Sequence, residues 1–355
     1  MSGSRRARHL RPSQATPRWR AVYVCTLESE IGPVDGDGGV GTNASPQFRI
    51  EARMPKRKCR LFLVDTFTRE RFCGNPAAVV LDAEQLTDDE MRRLARELHG
   101  TEVAFVLAAD APDHDLEIRF FSPRREVTFI GHAALAAHYV RAIANGVPKG
   151  KVRQKSGNAI IEVEVTGKAP NLHVTLHQSP ATFGPVVPEE RRAPVLDALG
   201  ISSASLHPAC PMQIMSKWNS RLLIGLNSPE TLESLQPDMQ ALIHLTPHVG
   251  ADGFFVFAMQ PGTDPLTTES RMFCPMIGVP EDAVSGNAHG MLGVYLVHHG
   301  LLVANGHPAR LIGHQGRFVE RPGQVEVQVT GSGKRATAVQ VAGDATIVYQ
   351  AELEF

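Results

Sequence analysis

The chain has 355 residues with 36 Lys+Arg against 37 Asp+Glu, so a formal net charge of −1 leaves no global excess to recruit a polyanion and excludes nucleic acid as the default partner. At 43% hydrophobic and 21% charged it can bury a large core, its length suits two domains, and disorder of the whole is excluded. Five scattered cysteines (Cys25, Cys59, Cys73, Cys210, Cys274) form no C-x-x-C pair and suit a reducing cytoplasm, and no run of 18 apolar residues exists to cross a membrane as a helix.

Residues 1–53 differ from the rest. Six arginines (Arg5, Arg6, Arg8, Arg11, Arg18, Arg20) precede the first acid, Glu28, and Gly36–Asp37–Gly38–Gly39 follows without periodicity. The stretch reads as a disordered extension, as a start assigned too far upstream of Met54, or as a targeting peptide; its one apolar run, Ala21 to Cys25, is too short for a signal-peptide core. It holds eight Lys+Arg and five acids, so the body from Met54 is mildly acidic, 28 against 32.

In the body, Leu61 to Asp65 reads as a strand, and after the turn Cys73–Gly74–Asn75–Pro76 the run Ala77 to Leu81 reads as its neighbour. Thr87 and Glu90 form a capping box, Met91, Leu94, Ala95 and Leu98 recur at helical spacing, and Gly100 ends that helix. Glu102 then heads the strand Val103 to Leu107. A further strand closes at Arg119–Phe120–Phe121–Ser122–Pro123, and Gly131–His132 opens an Ala-rich helix, continuing to about Asn145, with almost no polar stripe. Such a helix must be buried all round.

The second half repeats these anchors in order. Gly250 to Ala258 matches Gly100 to Ala108 at four of nine positions, Arg271 to Pro275 matches Arg119 to Pro123, and Gly286–Asn287–Ala288 matches Gly131–His132–Ala133. The fold class read from this is α+β, with two pseudo-symmetric lobes, each a twisted, mostly antiparallel sheet wrapped round a central helix. The boundaries are 54–180 for the first lobe and 181–344 for the second, strands alternating from Arg317 to Val348 and the last strand, about 345–353, returning to the first lobe.

Chemistry gathers at a few positions. Unpaired N–H groups at Gly131–His132 and at Ser285–Gly286–Asn287 can hold a carboxylate; equally, Ser285 or Asn287 serves as an N-cap and Gly131 as a tight turn. Glu102, at a helix-to-strand junction, is either an exposed loop acid or a partly desolvated carboxylate whose raised pKa suits proton transfer. Asp282 is a second acid or a turn residue, and His132 an acid/base, a donor or a cap. Gly331–Ser332–Gly333–Lys334 is a hairpin turn and not a phosphate loop; no metal-ligand spacing and no dinucleotide fingerprint occur.

Asp65–Thr66–Phe67, Phe72–Cys73–Gly74–Asn75–Pro76–Ala77, Thr101–Glu102–Val103–Ala104–Phe105, Gly131–His132–Ala133 and Glu281–Asp282 ahead of Ser285–Gly286–Asn287–Ala288 together resemble the phenazine-biosynthesis F-like isomerases and epimerases, from about Cys59 to about Tyr349. The resemblance implies the two-lobed fold of diaminopimelate epimerase and a homodimer without cofactor. It implies Glu102 as general acid/base, with Gly74, Asn75, His132, Asp282, Gly286 and Asn287 binding the substrate. Sister epimerases carry a thiol just before each helix-opening glycine; here Ile130 and Ser285 stand there, and Ile130 cannot carry a proton. Asn287 replaces a frequent Ser and Ala283 a frequent Pro, so the contact at the second helix departs from the pattern.

The sequence is therefore read as a cytoplasmic, cofactor-independent isomerase of a small carboxylated metabolite, without metal, membrane or nucleic-acid partner. A catalytically silent binding or interaction protein of the same fold is the rival, and a racemase using Cys73 or Cys274 a third reading.

Overall fold

The computed structural model describes residues 57–355 apart from His99, Lys149 and Asn305. The extension read over residues 1–53 lies outside them. The first apolar runs form β1 (Lys58–Thr66) and β2 (Asn75–Leu81), antiparallel, with Leu61 opposite Val80 and Thr66 opposite Asn75. Next comes α1 (Asp88–Glu97), whose capping box is complete: Thr87 Oγ1 accepts from the Glu90 N–H at 3.3 Å, and the Glu90 carboxylate accepts from the Thr87 N–H at 2.8 Å. Thr87→Ala is expected to cost about 1 kcal/mol, a lower urea midpoint at unchanged slope.

The rest of the first half is β3 (Glu102–Ala108), β4 (Leu116–Phe121), β5 (Glu126–Val127), α2 (Gly131–Asn145), β6 (Val152–Ser156), β7 (Ala159–Lys168) and β8 (Asn171–Gln178). The second half begins with β9 (Thr182–Val186), α3 (Ala193–Leu199), β10 (Gln213–Lys217) and β11 (Asn219–Leu226). It continues through α4 (Pro229–Ser234), α5 (Met239–Val249), β12 (Phe254–Gln260), β13 (Leu266–Cys274) and β14 (Val279–Asp282). Last come α6 (Gly286–His298), β15 (Ala309–Gln315), β16 (Gly323–Ser332) and β17 (Arg335–Glu354).

Strand pairing is mixed and mostly antiparallel. In the first half β2 and β3 run parallel, β3 and β4 antiparallel, and β4 and β6 parallel, with α2 inserted between β4 and β6 in the chain. The second half repeats the pattern with β11 and β12 parallel, β12 and β13 antiparallel, β13 and β15 parallel, and α6 before β15. The repeat seen in three sequence anchors is thus also a repeat of pairing. All strands nevertheless join one hydrogen-bonded network. Strand β17 runs between β16 and β8: it pairs with β16 as far as Ala342 opposite Glu326, with β8 from Val339 opposite Gln178 to Asp344 opposite His173, and also with β1. Its pairing with β8 thus begins before position 345. The alternation expected from Arg317 starts instead at Gly323, because Arg317–Val319 is a single 3-10 turn between left-handed residues Gly316 and Glu320.

Both apolar helices are buried. Along α2, Ala133 to Val140 are all sealed from solvent, and the helix packs on β1, β2, β3, β7 and β8. Helix α6 packs on β10, β15 and β16. One core unites their side chains with the inner strand faces, including Phe62, Leu135, Phe255, Tyr295 and Val341. On the outer faces, Met91 of α1 packs with Val80 and Phe105, and α3 to α5 cover Phe254 and Phe273. No described helix is long and apolar enough to cross a membrane.

Candidate active site

Topology gathers the first half's candidates at one sheet edge. Because β2 and β3 are parallel, with Ala77 opposite Glu102, the starts of both strands lie together, and Asn75 is two residues from that register position. Strand β4 returns antiparallel, Phe121 opposite Val103, so the connection to α2 leaves from the same edge. Gly131 and His132 therefore begin α2 beside Glu102. The result is a contact of 3.5 Å between His132 Nε2 and Glu102 Oε2, with the histidine side chain 12% exposed and the glutamate 32%. His132 Nε2 is one of four sealed side-chain polar atoms without a hydrogen-bonding partner among the described residues.

The second half supplies its pieces by the same logic. Strand β13 ends at the start of β12, Phe273 opposite Phe254, and β14 folds back with Asp282 opposite Met272 just before α6. Asn75 ties the halves together: its Nδ2 donates to Asp282 Oδ1 at 3.0 Å and to Val284 O at 2.7 Å. Ser285 is the N-cap, its hydroxyl accepting from the Ala288 N–H at 3.2 Å. The N–H groups of Gly286 and Asn287 have no protein acceptor among the described residues. A Cβ at Gly286 would lie 2.6 Å from Cζ of the buried Phe67 ring, so the packing of that ring requires glycine there. The Asn287 amide donates to Lys217 O and Asn219 Oδ1, both at 2.7 Å. Gly74 has φ +61, its N–H donates to Pro322 O at 3.0 Å and its carbonyl accepts from Arg321 at 2.9 Å, so its backbone is engaged within the fold.

The sequence expectation of a raised Glu102 pKa is corrected. Burial does push the carboxyl up, but contact with His132 and the imidazolium charge outweigh it, and the net direction is down. For His132 burial pushes down, while Glu102 and then Asp282 win and raise it. Asp282 goes the other way: burial and the Glu102 charge raise it, against His132, Arg221 and Asn75. Glu102 and Asp282 are thus driven apart, the environment that separates a base from an acid. The pH profile of kcat/KM should accordingly have two limbs. It should fall on the acid side below Glu102's ordinary 4.5 and on the alkaline side above His132's ordinary 6.5. An alkaline limb below 6.5 would contradict the pairing.

Glu102's counterpart in the repeat is Asp252, and it is consumed: Oδ2 accepts from the Ser220 N–H and hydroxyl, both at 2.8 Å. The thiol of Cys274 is pushed up, chiefly by burial, to about 11, so little thiolate exists near neutrality. Several residues at the site went unread in the sequence. Gln315 clamps the approach to α6, accepting from the Ser285 N–H and donating to Asp282 O. Trp218, at φ +65 on the β10–β11 tip, stacks on Phe129 just ahead of α2 at 4.7 Å between ring centroids. The only sequence signal for Trp218 was the rarity of tryptophan, two in the chain.

A family model described as phenazine biosynthesis-like protein matches residues 64–351. The chain belongs to that family. An uncharacterised isomerase of Clostridium acetobutylicum is 38% identical over 297 residues, 84% of this chain and 98% of that protein. A trans-2,3-dihydro-3-hydroxyanthranilate isomerase of Pseudomonas aeruginosa is 31% identical over 290 residues, 80% of this chain and 95% of the other. The crystal structure of a phenazine biosynthesis protein from Bacillus anthracis, PhzF family, superposes with a TM-score of 0.74 at 22% identity, over 84% of this chain and 99% of that one, and shows the shared fold. This member of the phenazine biosynthesis-like family is an isomerase.

Proposed function

We propose that this isomerase moves a proton between carbons of a small carboxylate-bearing metabolite, with Glu102 as the single acid/base. One observation carries the reading: a solvent-reachable carboxylate, held low in pKa, stands 3.5 Å from a sealed imidazole nitrogen that has no hydrogen-bonding partner among the described residues. Such contacts tighten when substrate arrives. Glu102 takes a proton from a carbon made acidic by neighbouring unsaturation, the C–H electron pair entering that π system. The proton then returns from the Glu102 carboxyl to another carbon of the same molecule, so no atom is gained or lost. The free N–H groups of Gly286 and Asn287, with the dipole of α6 behind them, bind the substrate carboxylate. His132 and Asp282 position it, and Asn75 holds Asp282.

The duplicated pairing supports two lobes, 54–180 and 181–344, each a sheet round its own helix, with the substrate between the two helix starts. The relative from P. aeruginosa is named for an anthranilate-type carboxylate, which fits this class of substrate. The reading includes a cytoplasmic homodimer working without cofactor. To test it, small unsaturated carboxylic acids are incubated with the enzyme in D2O. A substrate acquires solvent deuterium at the reacting carbon with wild type and not with Glu102→Gln, which still binds it. Exchange retained in that variant overturns the assignment.

A further inference from the structure

Arg221 lies on β11, two residues beyond Asn219 and on the same face, and is only 5% exposed. Gly253 opens its path across the sheet. A Cβ there would stand 2.4 Å from Cys274 Sγ and 3.4 Å from Arg221 Cδ, so the missing side chain leaves a trough in which the arginine lies over β12's start toward β13. Arg221 Nε rests 3.3 Å from Met272 Sδ, and Met272 faces Asp282 across the β13–β14 ladder. Nη1 donates to Ser220 O at 2.7 Å. Nη2 has no protein partner among the described residues, and it is not one of the four sealed unpartnered atoms, so it keeps a path to solvent.

The carboxylates near this guanidinium are bound by others. Asp282 is held by Asn75, Glu281 by Arg271 at 2.8 and 2.9 Å, and Asp252 by Ser220. A guanidinium so far out of water is costly without a hydrogen-bonded anion, and a thioether is a poor substitute. Its planar fork matches a carboxylate in two-point contact. Resting on the reading of the Glu102 cleft as the active site, we propose that Arg221 binds a second carboxylate of the substrate, which is therefore a dicarboxylate spanning from the α6 N–H groups to Arg221.

The test is calorimetric titration of the full chain with malonate, succinate and glutarate, each against its monoamide. At least one diacid binds ten times tighter than its monoamide, and Arg221→Met brings that ratio to about one. Arg221→Lys, which keeps the charge and loses the fork, lowers it at least threefold and decides the matter if the Met variant does not fold. Glu102→Gln keeps the ratio, so the acid/base assignment can fail separately. No diacid preferred over its monoamide, or a preference unchanged in the arginine variants, overturns the proposal.

Discussion

Glu102→Gln lowers kcat by 10²–10⁴, the ordinary loss for a general acid/base. The amide has the carboxylate's shape and cannot accept a proton from carbon, so binding survives while exchange with solvent stops. A second consequence separates this from a merely structural defect. His132 owes its raised pKa to Glu102 first and Asp282 second, against burial. With Glu102 neutral, its raising effect is gone and the His132 titration, followed by NMR, moves to lower pH. Stability changes in a predictable direction as well. Glu102 titrates below its ordinary 4.5 in the fold, so its contribution is present above that value and disappears as pH falls through the folded pKa. The variant is therefore slightly less stable than wild type at pH 7 and equal to it in strong acid. Unchanged turnover with a shifted His132 would leave the pairing intact and remove Glu102 from the chemistry.

Local signals were legible in the sequence where the physics is local. The Thr87–Glu90 capping box, the hairpin turn at Gly333 and Lys334, and the buried character of α2 follow from residues within one or two turns of each other. Glu102, His132 and Asp282 stood out as polar groups at strand and helix starts, and the parallel pairing of β2 with β3 explains why Asn75 and Glu102 come to one edge. The sign of the Glu102 shift was not legible, because burial and the His132 contact oppose each other and only their distance says which prevails. Clamps such as Asn219 on Asn287 and Gln315 on Ser285 join strands scattered along the chain. Nothing in a buried polar residue's own neighbourhood in sequence identifies its partner.

The repeat also accounts for the different surroundings of its two acids, Glu102 and Asp252. Both halves place an acid at the same strand start, but in the second the residue one step before Arg221 is Ser220, whose N–H and hydroxyl both donate to the Asp252 carboxylate. In the first half the residue opposite Glu102 is Ala77, with no polar side chain, so the carboxylate turns to His132 and to solvent. Asp252 is thus tied into a turn, whereas Glu102 keeps a side open to solvent.

Arg321→Met is expected to destabilise the fold by about 3–5 kcal/mol, the cost of leaving a buried charge without its partner. Asp65 is 2% exposed in its side chain, and Arg321 Nη2 donates to its Oδ1 while also reaching Cys73 O at 3.0 Å. Arg321 Nε donates to Gly74 O at 2.9 Å, and Asp65 Oδ2 accepts from the Phe72 N–H at 2.6 Å. One guanidinium from before β16 thus holds the turn that delivers Asn75 to Asp282. Burial already raises Asp65 despite the Phe72 N–H and Arg321, and removing Arg321 raises it further. In such a case the native state binds more protons than the unfolded chain between the two pKa values, so stability falls as pH rises. Urea unfolding should therefore show a larger deficit at pH 8 than in acid, near Asp65's ordinary 3.8. Adding Asp65→Asn, which removes the charge and keeps an acceptor for Phe72, should recover much of the loss. A deficit independent of pH, or no recovery in the double variant, would show that Arg321 acts through packing alone. Turnover should drop in the single variant along with the Asn75 contact and return in the double, since the turn and not the charge is what the site requires.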